Sequence, residues 1–283
     1  MYTRLRPFIA GALILLTACT ESADNEKDVE VIAEVENNYN SDEYDFVLPQ
    51  PISLAKAFQA AGLEYFPGIT NPVSNSKNYN DKVSQLLNLG VYSTDLAYCA
   101  LNGKTQDARS YLKAVQDMGN QVGLKPVFSD RKIIEKFDSN LNNMEAIEDL
   151  IYEVQERSEA YMEDNDIRYL SIVQFSGAWT EGMYLGVRDI ELRKVSSQEM
   201  IPTIVDQISL LKNMLIGIQT YPSSDQKLTE VTKKLNEILS LYSGFESVKA
   251  AQGSNELISP QLSEEEFKQF AEKITLLRTY ITS

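Results

Sequence analysis

Apolar residues recur along this chain at helical spacing. Leu228, Val231, Leu235, Ile238, Tyr242 and Phe245 advance by alternating steps of three and four, one seam along one helix face. Phe267, Phe270, Ile274, Leu277 and Ile281 repeat the pattern, as do Ile147, Leu150, Ile151, Val154 and Tyr161, and again Ile204, Ile208, Leu211, Leu215 and Ile218. Ser263 with Glu266, Ser196 with Glu199 and Asn142 with Glu145 each set a capping side chain three residues before a glutamate, the signature of a helix start. No segment shows the two-residue alternation of a strand. The spacing predicts helices over 53–62, 80–101, 105–122, 130–140, 143–164, 167–189, 198–220, 225–250 and 263–282. Pro202 lies too deep for a helix begun at Ser196, which predicts a later start or a kink. The stretch 62–78, with Pro67, Gly68 and Pro72, reads as the longest irregular loop. Connections elsewhere are short and favour antiparallel neighbours. The fold class expected is all-α, a compact multi-helix bundle.

Two helical segments lack a polar face. Residues 86–101 and 169–186 are apolar or small nearly all round, as helices at the centre of a bundle are. Gly177, Gly182 and Gly186 each cost about 1 kcal/mol in an exposed helix, so their presence predicts close helix approach. Gly90-Val-Tyr-Ser-Thr-Asp-Leu96 also aligns with Gly177-Ala-Trp-Thr-Glu-Gly-Met183. That match suggests a duplicated helical pair and a pseudo-twofold bundle around two central helices.

Each central segment carries one acid in apolar company, Asp95 and Glu181, and a buried carboxylate needs a partner or a raised pKa. Tyr92, Asp95 and Tyr98 share a helix face, as do Glu181, Tyr184 and Arg188. One reading is a binding pocket lined by Tyr92, Asp95, Tyr98, Trp179, Glu181 and Tyr184, suited to a small cationic or sugar-like ligand. The same acids invite a glycosidase-type pair. The plainer reading is a buried network of carboxylates and tyrosine hydroxyls, with Arg109, Arg168 or Arg188 as charge partner.

Residues 1–18 read as a lipoprotein signal peptide, with Arg4 and Arg6 ahead of the apolar run Phe8 to Leu16. That run is too short for a membrane-spanning helix, which needs about 20 apolar residues. Leu16-Thr17-Ala18-Cys19 resembles a bacterial lipobox, which implies cleavage before Cys19 and lipidation of that cysteine. Residue 20 is threonine and not the aspartate of inner-membrane retention, which favours the outer membrane. From Cys19 to residue 50 the chain reads as a tether: ten acids against Lys27 alone, with little to bury. An acidic cluster after a lipidated cysteine also resembles the surface-export signal of Bacteroidota lipoproteins, so both leaflets are open. Residues 51–283 form a single helical domain.

Across 283 residues, 26 Lys+Arg face 41 Asp+Glu, a net charge of −15, with no histidine and two cysteines. Histidine-based triads, a histidine general base and His/Cys zinc sites are thereby excluded. An acidic protein is also a poor partner for nucleic acid, whose phosphates call for a basic patch. Cys99, inside the apolar run 96–101, reads as a small core residue. Glu163-Asp-Asn-Asp166 lacks the glycine and distal glutamate of a calcium loop, and 62–68 lacks the features of a phosphate loop. No metal and no cofactor is expected. Tyr65-Phe66-Pro67-Gly68 reads as a plug over a bundle end or as an exposed contact.

The stretch Leu89-Gly-Val-Tyr-Ser-Thr-Asp-Leu-Ala-Tyr98, with 114–123 behind it and Gly177-Ala-Trp-Thr-Glu-Gly-Met-Tyr184 further on, resembles a group of Bacteroidota lipoproteins known mainly as hypothetical proteins. The resemblance covers most of the body. It implies a helical fold and an envelope habitat, and brings no catalytic residues with it. The function expected is that of a lipid-anchored outer-membrane binding or interaction protein, taking a small ligand or an envelope protein partner. A carboxylate-dependent hydrolase and a purely structural envelope lipoprotein are the alternatives.

Overall fold

The computed structural model describes residues 48–128, 132–141, 143–193, 200–219, 224–253 and 259–283. The signal peptide, Cys19, most of the tether, and the caps at Asn142 and at Ser196 with Glu199 lie outside the described residues. Among the described residues the fold is all-α. The helices are α1 (Pro51–Ala60), α2 (Lys82–Leu101), α3 (Thr105–Gln121), α4 (Lys125–Phe128), α5 (Lys132–Ser139), α6 (Met144–Asp164), α7 (Tyr169–Arg193), α8 (Met200–Ile218), α9 (Gln226–Gly244), α10 (Glu246–Gln252) and α11 (Glu264–Ile281). A 3-10 turn, Val73–Asn78, lies within the stretch expected to be irregular throughout.

The apolar seams face inward. Val231, Leu235, Ile238, Phe270, Ile274, Leu277 and Ile281 are all buried, as are Ile147, Ile204 and Leu211. The Ser263–Glu266 capping box forms with both of its hydrogen bonds. Asn143 caps α6 by accepting from Ala146 N. Pro202 sits in the first turn of α8, where its missing N–H has no helical partner to lose. The stretch expected as one helix over 225–250 breaks after Gly244. Phe245 adopts an extended conformation and buries its ring 6.2 Å from that of Tyr242. Glu266 then accepts from Ser247 N at 3.1 Å, serving the start of α10 as well as its own helix. The short α4 has too few residues to leave a periodic trace. α8 is long and apolar enough to cross a membrane by length and composition, but its buried face packs on α7 and α9.

α2 and α7 are buried along nearly their whole lengths and share the most extensive helix contact in the molecule. Their backbones touch. A Cβ at Gly90 would lie 1.9 Å from the Gln174 carbonyl oxygen, and one at Gly177 would lie 1.8 Å from that of Leu87. Each glycine thus sits on the carbonyl three residues before the other, a locally two-fold crossing. The pairs Gly90/Gln174, Thr94/Ala178 and Asp95/Glu181 advance together, so the two helices run parallel. Thr94 Oγ1 donates across the seam to the Ala178 carbonyl at 3.1 Å. Gly182 and Gly186 receive Leu54 and Phe58 of α1 instead. At the end of α2, Gly103 takes a φ of +66° and lets Lys104 N return to the Cys99 carbonyl, which folds α3 back along α2.

The crossing reverses the usual sign of a helix substitution. Gly90→Ala and Gly177→Ala should each cost at least about 3 kcal/mol, because rigid backbone and not a movable side chain meets the new methyl. Gly244→Ala, with open space around it, should be neutral or stabilising by up to about 1 kcal/mol. Urea denaturation of the three variants measures the contrast.

Candidate functional site

Asp95 lies five residues beyond Gly90 and Glu181 four beyond Gly177, so the close crossing brings the two acids together. Both are fully buried, with side chains within hydrogen-bonding reach of each other. Arg278 of α11 grips Glu181 with two parallel bonds, Nε to Oε2 at 3.0 Å and Nη2 to Oε1 at 3.2 Å. The Tyr184 ring lies 4.6 Å from the guanidinium carbon. Asp95 Oδ2 accepts from Asn71 N at 3.1 Å, whereas Oδ1 faces no N–H or O–H donor.

Charge balance in this cluster calls for one proton between the two acids. Two ionised carboxylates beside one arginine would leave a net buried negative charge and an orphaned Oδ1. Burial pushes Asp95 well above the ordinary carboxylate range, and Glu181 beside it pushes further, against the pull of Arg278. Burial raises Glu181 as well, but Arg278 and Asp95 both work against that rise. Asp95 is therefore the acid of the pair that holds a proton more readily, and one proton there would balance the cluster against Arg278.

The loop 62–78 seals it. Asn71, 1% exposed, donates its N–H to Asp95 and its Nδ2 to Tyr79 Oη at 3.0 Å, and its carbonyl accepts from the hydroxyl of Tyr111 at 3.0 Å. Tyr79 Oη donates in turn to the Thr282 carbonyl, and Asn88 Nδ2 to that of Ile281. The end of α11 is thereby fastened to α2. Tyr92 donates to the Pro72 carbonyl at 3.1 Å.

Of the six residues singled out in the sequence, Asp95, Glu181 and Tyr184 meet in the cluster, and Tyr92 lies beside it. Tyr98 is held elsewhere, donating to the Glu64 carbonyl and accepting from Phe66 N. Trp179 faces α8 and donates to the Gln207 carbonyl at 3.0 Å. They do not line one pocket. The charge partner also differs from those expected. Arg109 pairs with Asp138, Arg188 with Glu191, and Arg168 is exposed near Glu159. Arg278 serves instead, and its signal was a cation flanking the apolar stripe between Leu277 and Ile281. Asn71 gave only the turn signal of Asn-Pro.

Two fully buried acids within reach of each other, one of them gripped by Arg278 on both oxygens, leave no room for a glycosidic oxygen. Cys99 is 1% exposed, and burial pushes its thiol up, as for a core residue. Among the described residues no group of three His, Cys, Asp or Glu is placed to hold a metal ion.

An open cleft of 370 Å³ lies between loop 62–78 and α3. Tyr65 and the Pro67–Gly68 turn form one wall; Asp107, Ser110 and Tyr111 form the other. Tyr65 stacks on Tyr98 with ring centroids 5.4 Å apart and donates to Asp107 Oδ2 at 3.1 Å. Burial and this acceptor push the Tyr65 hydroxyl up to about 12. Tyr111 also bonds Thr70 Oγ1 at 2.7 Å. The Tyr65–Gly68 segment is thus plug and rim together: Tyr65 and Phe66 are half-buried, Pro67 and Gly68 exposed. Compared with family models, with curated proteins and with solved structures, the chain matches none.

The shared proton gives the two acids opposite mutational signatures. Folded Asp95 keeps a proton that the unfolded chain releases above its ordinary pKa of 3.8. Its contribution to stability is full below that value and falls as pH rises toward the raised folded value. Asp95→Asn retains a donor toward Glu181, so it should flatten the decline and leave the protein at least as stable near neutrality. Glu181→Gln strands Arg278 and should cost about 3–5 kcal/mol. Denaturation curves taken between about pH 5 and 8 decide; equal losses in both variants would sink the shared proton.

Proposed function

We propose that this chain is a lipid-anchored, non-enzymatic binding protein of the outer membrane. Acyl chains on Cys19 hold it at the membrane, the acidic tether spaces it from the surface, and the helical body meets a small ligand or an envelope protein. The anchoring half of this reading is supported by the lipobox at Leu16-Thr17-Ala18-Cys19 and by the ten acids that follow. Each methylene buried in the bilayer adds about 0.8 kcal/mol, so several chains on one cysteine give durable attachment.

One observation carries the choice of binding over catalysis. Both oxygens of Glu181 are gripped by Arg278, and Asp95, fully buried beside Glu181, is held by Asn71 on one oxygen. Both acids are fully buried, with no atom open to a substrate. The hydrolase alternative has no other carboxylate pair in apolar surroundings to fall back on among the described residues, so the activity of this protein lies on its surface.

Replacing Cys19 by serine tests the anchor. The native chain should sediment with membranes and incorporate a clickable fatty acid in growing cells. Cys19→Ser should take up no label and be released to the soluble fraction. Absence of label in the native chain would overturn the assignment.

A further inference from the structure

We propose that the cleft between loop 62–78 and α3 binds a small organic cation, an ammonium compound of about diamine size. The inference rests on the binding-protein reading and gives it a site and a ligand class. At 370 Å³ the cleft has room for a compound of a few carbons. Asp107 is the one charged residue on its lining. Among the described residues no lysine or arginine forms an ion pair with that carboxylate. Neutral oxygens surround it: Thr70, Tyr111, and Ser110, whose Oγ donates to the Gln106 carbonyl and so retains acceptor capacity toward the cleft.

The chain itself already places an ammonium beside this cleft. Lys104 Nζ lies 4.7 Å from the centroid of the ring of Tyr65, a lining residue that also stacks on Tyr98. Carboxylate, aromatic face and hydroxyl oxygens together make the environment that recognises ammonium groups. Lys104 is exposed, on a flexible stem, and can swing away to give a ligand cation the same ring face. Competing classes fit poorly. A neutral sugar would leave the charge of Asp107 without a counter-charge. An anion would meet Asp107 on a chain of net charge −15.

Isothermal titration of the full chain with 1,4-diaminobutane, xylitol and succinate tests the assignment, the three probes being similar in length and different in charge. Diaminobutane should bind saturably at one site, and the other two should not. Asp107→Asn should weaken that binding roughly three- to tenfold, and Lys104→Met should strengthen it by a similar factor by removing the competing ammonium. Both positions are exposed, so the variants keep their fold, which circular dichroism verifies. Xylitol binding as well as diaminobutane, an affinity indifferent to Asp107→Asn, or no saturable binding of any probe would each overturn the inference. A silent cleft on a chain that still carries its lipid overturns the site alone. A chain that binds diaminobutane yet carries no lipid overturns the anchor alone.

Discussion

At the Gly90–Gly177 crossing, two helix backbones stand closer than any side chain would allow, and the interior follows from that contact. Parallel helices at such a distance leave no space for bulky residues between them, and they bring whatever lies a turn further on into direct contact. Here that is Asp95 and Glu181. Two acids so placed need a counter-charge, and α11 supplies it through Arg278. The position of α11 is therefore an electrostatic consequence of two glycines on other helices, reinforced where Asn88 and Tyr79 take the last carbonyls of its final turn.

Such a cluster is a poor source of stability in itself. Withdrawing charges from water costs several kcal/mol per ion, and apolar residues of similar volume often do as well or better. What it supplies is direction. A planar guanidinium accepts a carboxylate in one orientation, and an acid that holds its proton offers one donor. Apolar seams alone would let α11 slide by a turn along its neighbours with little change in buried area. The Arg278–Glu181 fork admits one register, and Asn71 on Asp95 fixes the loop above it in the same way.

The seams of α6, α8, α9 and α11 were legible because burial of one helix face imposes a period on the sequence. The two central helices were legible because burial on all sides removes the period. Gly90 and Gly177 were paired by alignment alone, and the structure places each on the carbonyl three residues before the other. Arg278 and Asn71 could not be found this way. Their partners lie 97 and 24 residues away, and a single cation beside an apolar stripe looks like any solvated helix edge. Tyr98 and Trp179 were misplaced for a related reason: a helix buried all round gives no hint of which neighbour each side chain will meet. Phe245 fitted the apolar seam and still ended the helix, because its ring packs equally well from an extended residue.

Loop 62–78 ties the core to the surface. Its inner side gives Asn71 to Asp95 and receives Tyr111 and Tyr92; its outer side, with α3, forms the cleft. An irregular segment of this length would ordinarily be mobile, and a ligand would bear the entropy of ordering it. This one is held from beneath by hydrogen bonds to α2 and α3, and through Tyr79 to the end of α11, so the cleft walls are set before any ligand arrives. Preorganisation of that kind is what lets a small site with few contacts bind usefully. The buried acids then have a role that needs no exposure: by fixing Asn71 they fix Thr70 and Tyr111, which line the open cleft.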